Sequence, residues 1–251
     1  MTVIDLELSR TLGPGRERTT EELKELAAEG ARRFDDSEHP IDPGEVLAWA
    51  AETFGSRLGV ACSMANTVVP EMTAQYRPGV DVLFLDTGYH FAETTGVRDA
   101  LEQSGLVTIV DVSARATREE HEKVLGAEPF NTDPELCCRF RKVEPLAAAL
   151  AGYEAWVTGL RRIDTANRAD AGLVEWDAKN GMVKINPLAA WTLDEVHEWA
   201  AANGALVNPL VDDGYPSIGC EPCTRRVEAG EDARAGRWAG SSKVECGIHV
   251  I

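Results

Sequence analysis

The sequence predicts an α/β fold, a mostly parallel sheet flanked by helices, and three observations lead there. From about residue 57, short apolar runs bounded by turn residues alternate with amphipathic stretches, a pattern that builds strand–helix–strand units. The chain has 251 residues, 44% hydrophobic and 27% charged. That suits one globular α/β domain with a full core, or such a domain with a small appendage. No internal repeat or low-complexity tract interrupts the pattern.

Residues 1–55 read as an acidic helical lead-in packed on the core. Thr19 with Glu22 makes a capping-box start to one helix, and Asp42-Pro43 with Glu45 starts another. Residues 56–214 read as a nucleotide-binding α/β body. Leu58 to Ala61 is a buried strand that runs through Ser63-Met64-Ala65-Asn66-Thr67 into a helix. Further strands fall at Val80 to Leu85, Leu106 to Val112, Ala155 to Thr158 and Met182 to Ile185. Helices such as Phe91 to Gln103 and the capped Thr192 to Asn203 separate them. Such sheets bind ligands beyond the carboxyl ends of their strands. Residues 215–251, rich in Gly, Ser, Pro and Arg with little periodicity, read as a functional tail of the same structural domain.

Forty-two acidic against 25 basic side chains give a formal net charge of −17. That balance argues against a nucleic-acid partner or docking on anionic lipid, since both need a broad basic face. No stretch approaches the roughly 20 apolar residues of a membrane span, and Met1-Thr2-Val3-Ile4-Asp5 lacks the basic and apolar regions of a signal peptide. A cytoplasmic protein is expected.

Six cysteines are too few for a secreted disulfide scaffold in a chain this long, and in a reducing compartment clustered cysteines read as metal ligands or redox groups. Asp133-Pro134 is a helix start that places Cys137 and Cys138 early in a helix running to about Gly152. Their side chains point about 100° apart, so both reach one target only if it lies close to the helix. Cys220-Glu221-Pro222-Cys223 supplies a second pair. Four thiolates fit either a [4Fe–4S] cluster or a structural zinc ion. Cys62, beside the first strand, reads as a core residue. Cys246 stands apart as a candidate reactive thiol, with Arg234, Arg237 and Lys243 upstream and His249 three residues on. Between residues 137 and 168, six basic residues (Arg139, Arg141, Lys142, Arg161, Arg162, Arg168) face three acids. At strand ends such a cluster suits capture of a small dianion.

Six motifs in this order resemble the assimilatory adenosine 5′-phosphosulfate (APS) reductases of bacteria, over roughly Leu58 to His249. They are Leu85-Asp86-Thr87-Gly88-Tyr89-His90, then Cys137-Cys138 with Arg141-Lys142-Val143, then Trp156 to Arg162. Tyr215 to Cys223, Arg234-Ala235-Gly236-Arg237-Trp238 and Glu245-Cys246-Gly247-Ile248-His249 complete the set. The resemblance implies an adenine-nucleotide α-hydrolase-like fold, one [4Fe–4S] cluster per chain and thioredoxin as reductant, in sulfate assimilation toward cysteine biosynthesis. It makes Cys137, Cys138, Cys220 and Cys223 the cluster ligands and Cys246 the nucleophile. Lys142, Arg234, Arg237 and His249 would surround the sulfate, while Ser63, Leu85, Asp86, Gly88, Arg161 and Arg162 would line the nucleotide pocket. It further implies attack of Cys246 on the substrate sulfur, a cysteine S-sulfonate, and release of sulfite by thioredoxin. The stretch from Gly240 to Lys243 would let the tail close over substrate.

Reductases of the 3′-phosphorylated substrate (PAPS) typically lack the two cysteine pairs. An RNA-thiolating ATP-pyrophosphatase would resemble Ser-Gly-Gly-x-Asp-Ser after the first strand, where this chain has Ser63-Met64-Ala65-Asn66-Thr67. A zinc-stabilised partner-binding module leaves Cys246 and the strand-end arginines unexplained.

Overall fold

A computed structural model describes residues 13–37, 39–239, 243 and 245–248. His249 and the stretch Gly240 to Ser242 lie outside the described residues.

Two helices lead in. Helix α1 (Thr20–Phe34) carries the expected capping box, with the Thr19 hydroxyl accepting from the Glu22 amide and the Glu22 carboxylate accepting from the Thr19 amide. Helix α2 (Pro43–Phe54) is capped by Asp42 and has Pro43 in its first turn. The alternating body follows: β1 (Leu58–Cys62), α3 (Val68–Tyr76), β2 (Asp81–Asp86), α4 (Ala92–Ser104), β3 (Thr108–Ser113), α5 (Arg118–Leu125), the short α6 (Pro129–Thr132) and α7 (Pro134–Cys138). A π-helical turn, Arg139–Val143, joins α7 to α8 (Glu144–Leu150), so the expected single helix is continuous but carries one widened turn. Then come β4 (Ala155–Val157), β5 (Val174–Asp177), β6 (Met182–Ile185) and α9 (Leu193–Asn203), capped at Thr192 as expected, with Glu195 completing a capping box.

The six strands lie in the order β3-β2-β1-β4-β6-β5, with every neighbouring pair parallel except β5 and β6. The sequence reading placed five strands; β5 is the addition. It is a four-residue edge strand formed by a hairpin, with Gly181 at φ +63° donating its amide to Asp177 and the Asp177 carboxylate accepting from Asn180. Asn-Gly between two β-rich runs is the local signal for such a turn.

Strand alternation splits the core into two layers. Val60, Val82, Phe84, Ala155, Val157, Val183 and Ile185 face one side. There α1, α2, α3, α4 and α9 cover them with residues such as Leu23, Leu47, Phe54, Met72, Leu101 and Val196. Leu83, Trp156 and Met182 face the other side against Leu146, Ala149 and Leu150 of α8. The lead-in is tied down by Glu154, whose side chain is fully buried. It accepts from the Glu17 and Arg18 amides at 2.7 and 2.8 Å and pairs with the Arg18 guanidinium. Among the described residues no helix is long and apolar enough to cross a membrane.

Candidate functional site

Strand β1 lies between β2 and β4, so the chain leaves its neighbours in opposite directions and a crevice opens at the carboxyl ends of the three. This is the switch point at which open α/β sheets bind ligands. A cavity of about 290 Å³ occupies it, lined by Cys62 and Ser63 at the end of β1, Leu85 and Thr87 at the end of β2, and Thr158 to Arg161 after β4. The C-terminal segment closes the other wall with Ser217, Gly219, Cys220, Arg234, Arg237, Glu245 and Cys246, and Lys142 reaches in from the π turn.

The cations are crowded. Arg237 donates to the Ser217 hydroxyl (3.3 Å) and the Ile218 carbonyl (3.2 Å), and Arg234 donates to the same hydroxyl at 3.4 Å. Burial pushes the Arg234 pKa down, and the like charges of Arg237 and Arg168 push it the same way. An anion among them would relieve that repulsion. Two carboxylates balance the set in part. Asp164 accepts from Arg161 (2.6 Å) and Arg168 (3.3 Å), while Glu245 takes a two-point contact from Arg168 at 2.7 Å each and a bond from Thr165. Backbone amides of the loop after β1 are largely committed elsewhere: Met64 donates to the Cys62 sulfur, Thr67 to Leu206 and Val68 to the Asn66 side chain.

Beside the cavity, Cys137, Cys138, Cys220 and Cys223 all line one small recess with Arg141 and Lys142. The Asp133 cap and Pro134 start α7 as expected, and the π turn that follows inserts one extra residue. Arg141 and Lys142 are thereby both buried beneath the cysteines; π turns of this kind recur at functional sites. Burial pushes the Cys137 thiol up to about 12 and Cys223 up to about 11, with repulsion from neighbouring cysteines adding to both. Burial would raise Cys220 as well, but the Lys142 ammonium, the Thr87 hydroxyl at 3.3 Å and Arg237 bring it below its ordinary value. Lys142 responds in kind. Burial alone would lower it, yet Cys220, Cys138 and Cys246 hold its ammonium above the usual lysine range. Among the described residues no group of three or more His, Cys, Asp or Glu side chains is arranged to hold a metal ion. The four sulfurs border a shared recess instead. Four thiol donors beside two buried cations, with Arg141 Nε and Nη2 lacking hydrogen-bond partners, fit an anionic group larger than one ion.

Most of the expected residues meet here: Ser63, Leu85, Arg161, Lys142, Arg234, Arg237 and Cys246 on the cavity, and the two cysteine pairs on the recess. Three do not. Arg162 turns away to the Ala171 carbonyl (2.7 Å) and Asp35 (3.4 Å), because Arg161 is extended and successive extended residues face opposite sides. Asp86 and Gly88 are both exposed. The Asp86 carboxylate accepts from the Gly88 amide in a turn that sends Thr87, not its neighbours, inward. The six-residue basic cluster also disperses. Arg139 pairs with Glu144 at the surface, Arg141 donates to the Thr87 carbonyl, and only Lys142, Arg161 and Arg168 line the cavity. Cys62 packs against the main core, as expected, and also lines the cavity wall, its thiol donating to the Asn66 carbonyl and pushed up to about 11 by burial. Sequence reasoning missed Thr87, Asp164, Glu245 and Trp238 as cavity residues; adjacency to Cys246 was the one available signal for Glu245.

Fold and cleft together define a doubly wound α/β protein with a cation-lined site at its switch point. The chain belongs to the phosphoadenosine phosphosulfate reductase family: the family described as "Phosphoadenosine phosphosulfate reductase domain" matches residues 55–226. It is 52% identical over 233 residues to a Streptomyces coelicolor protein named adenosine 5′-phosphosulfate reductase, covering 93% of this chain and 97% of that one. A protein of the same name from Mycolicibacterium smegmatis is 53% identical over 232 residues, covering 92% and 97%. Among solved structures, a phosphoadenylyl-sulfate reductase from Candida auris in complex with phosphate matches with a TM-score of 0.64 and 26% identity, covering 83% of this chain and 98% of that one.

Proposed function

We propose that this chain reduces APS to sulfite and AMP with thioredoxin as electron donor, in a reducing cytoplasm. The observation that carries the reading is the opening of Cys246 onto the same cavity as Lys142, Arg161, Arg168, Arg234 and Arg237, in a chain about half identical to proteins named for that activity. A thiolate attacking an anionic sulfate needs cations at the reacting centre. Lys142 lies close enough to Cys246 to feel its charge. The Cys246 thiolate attacks the substrate sulfur, the S–O bond to the phosphate breaks, and AMP leaves with that electron pair. The product is a cysteine S-sulfonate. A thioredoxin thiolate then attacks the Cys246 sulfur and expels sulfite, and thioredoxin's second thiol resolves the mixed disulfide, returning Cys246 reduced. The donor dithiol supplies both electrons. His249 would join the residues around the sulfate.

Cys137, Cys138, Cys220 and Cys223 would hold a [4Fe–4S] cluster, whose negative charge would anchor the Lys142 helix and the Cys220 loop on either side of the substrate. Lys142 and Arg141 would compensate that charge.

The test is mass spectrometry after APS is added to anaerobically purified protein without reductant. An adduct of about 80 Da (SO₃) on Cys246 is expected, and its absence overturns the nucleophile. The Candida auris protein is named for PAPS, so an adduct formed with PAPS and not with APS would keep the chemistry and change the substrate.

A further inference from the structure

Arg237 lies against Gly219, the residue before Cys220. A Cβ placed on Gly219 would come within 2.3 Å of Arg237 Nη2, 2.5 Å of Cζ and 2.9 Å of Nε, distances that real Cβ atoms do not show. The backbone of Gly219 is not in the left-handed region, so the glycine is there for close approach rather than for its φ. Around this contact the two segments are laced together. Thr224 bridges Arg237, the Trp238 amide donates to the Cys223 carbonyl (2.9 Å), and the Arg225 amide donates to the Gly236 carbonyl (2.9 Å). The guanidinium is then turned by its bonds to the Ser217 hydroxyl and the Ile218 carbonyl, both just upstream of the glycine.

We propose that Gly219 is a positioning residue, a flat seat that holds the Arg237 guanidinium against the cysteine loop and sets where it meets the sulfate of APS. The inference rests on the proposed reaction and adds to it the residue that aims one of its cations. Arg237 is a flexible side chain, so a methyl group at position 219 displaces the guanidinium rather than the fold.

The experiment is a double-mutant cycle on the holoenzyme, reading equilibrium binding of APS and of AMP, the rate of S-sulfonate formation, iron content and Tm. Gly219→Ala is expected to weaken APS binding and slow the adduct by about ten- to a hundredfold, as for a displaced charged hydrogen-bonding group. AMP binding, iron and Tm are expected to stay near wild type. Arg237→Ala is expected to do the same, and the double variant to be no worse than Arg237→Ala alone. Ser217→Ala adds no volume and removes the hydroxyl to which Arg237 donates. It is expected to show a smaller loss that shrinks in the Arg237→Ala background without vanishing, because Arg234 donates to the same hydroxyl; it carries the test if Gly219→Ala loses iron, and a loss undiminished in that background overturns the seat. Weakened binding in Arg237→Ala with wild-type binding in Gly219→Ala, or additive losses in the double variant, overturns the seat alone. No loss in either variant overturns the role of Arg237 in the proposed reaction, and the seat with it.

Discussion

One wall of the cavity is made by regular elements and the other is not. The strand-end wall comes from β1, β2 and β4, whose central residues are fully buried and whose mutual register fixes where Ser63, Thr87 and Arg161 emerge. The facing wall, residues 215–248 as described, holds its shape with one short 3₁₀ turn, Glu221–Cys223, and a few long-range bonds, such as Glu221 to Tyr89 and Glu245 to Arg168. The first wall owes its geometry to apolar burial, which is non-directional and shared among many residues. The second owes it more to individual polar contacts, so single substitutions there should be felt more in chemistry than in folding.

The sharpest division is expected from Cys246→Ser. It should abolish sulfite release while iron content and thermal unfolding stay as in the parent, because the residue belongs to no core cluster. Cys220→Ser should lose most of the iron of the proposed cluster, visible in the absorption spectrum, since it would break one of the two proposed ligand pairs and the contact to Thr87. If it kept full iron, the recess would not be the ligand site. At the N-terminal end of β4, Glu154→Ala removes the acceptor of the Glu17 and Arg18 amides and of the Arg18 guanidinium, which keeps its bond to the Thr53 carbonyl. A loss of about 1–3 kcal/mol in denaturant unfolding is expected.

That same group predicts a pH dependence. Burial would raise Glu154, but the Arg18 and Glu17 amides and the Arg18 charge hold it below its ordinary value. A depressed carboxylate stabilises above its unfolded pKa, and the gain is lost as pH falls through the folded value. Taking wild type from about pH 5 to pH 3 should therefore cost more stability than in Glu154→Ala. The smallest effect should come from Arg162→Ala, which ought to leave APS affinity within about twofold. Arg161→Ala, one residue away but on the cavity, should weaken it about tenfold.

That last pair also shows what the sequence could and could not tell. Five of the six strands, the capping boxes at Thr19 and Thr192 and the Asp133-Pro134 start were legible because each depends on local spacing. The two cysteine pairs and Cys246 were legible as motifs, and they converge on one region. Arg161 and Arg162 were indistinguishable as letters, since only the extended backbone at Arg161 decides which of them faces the cleft. Glu245 offered only its adjacency to Cys246, because the fold brings Arg168 to it, whereas Asp164 pairs with Arg161 and Arg168 three and four residues away, a local spacing that went unused. Edge strand β5 escaped because four residues around a hairpin carry little pattern, although Asn180-Gly181 marked the turn.

The π turn between α7 and α8 makes residue count, not residue type, the quantity that matters there. Deleting Phe140 would leave the charges between Cys138 and Glu144 unchanged, yet it would let the helix close to ordinary α geometry. The extra residue is what the widened turn absorbs, so α8 would keep Leu146, Ala149 and Leu150 on the sheet. The change would be confined to the turn, where Arg141 and Lys142 could no longer both be buried. Substitutions in this stretch can be graded; a gap cannot.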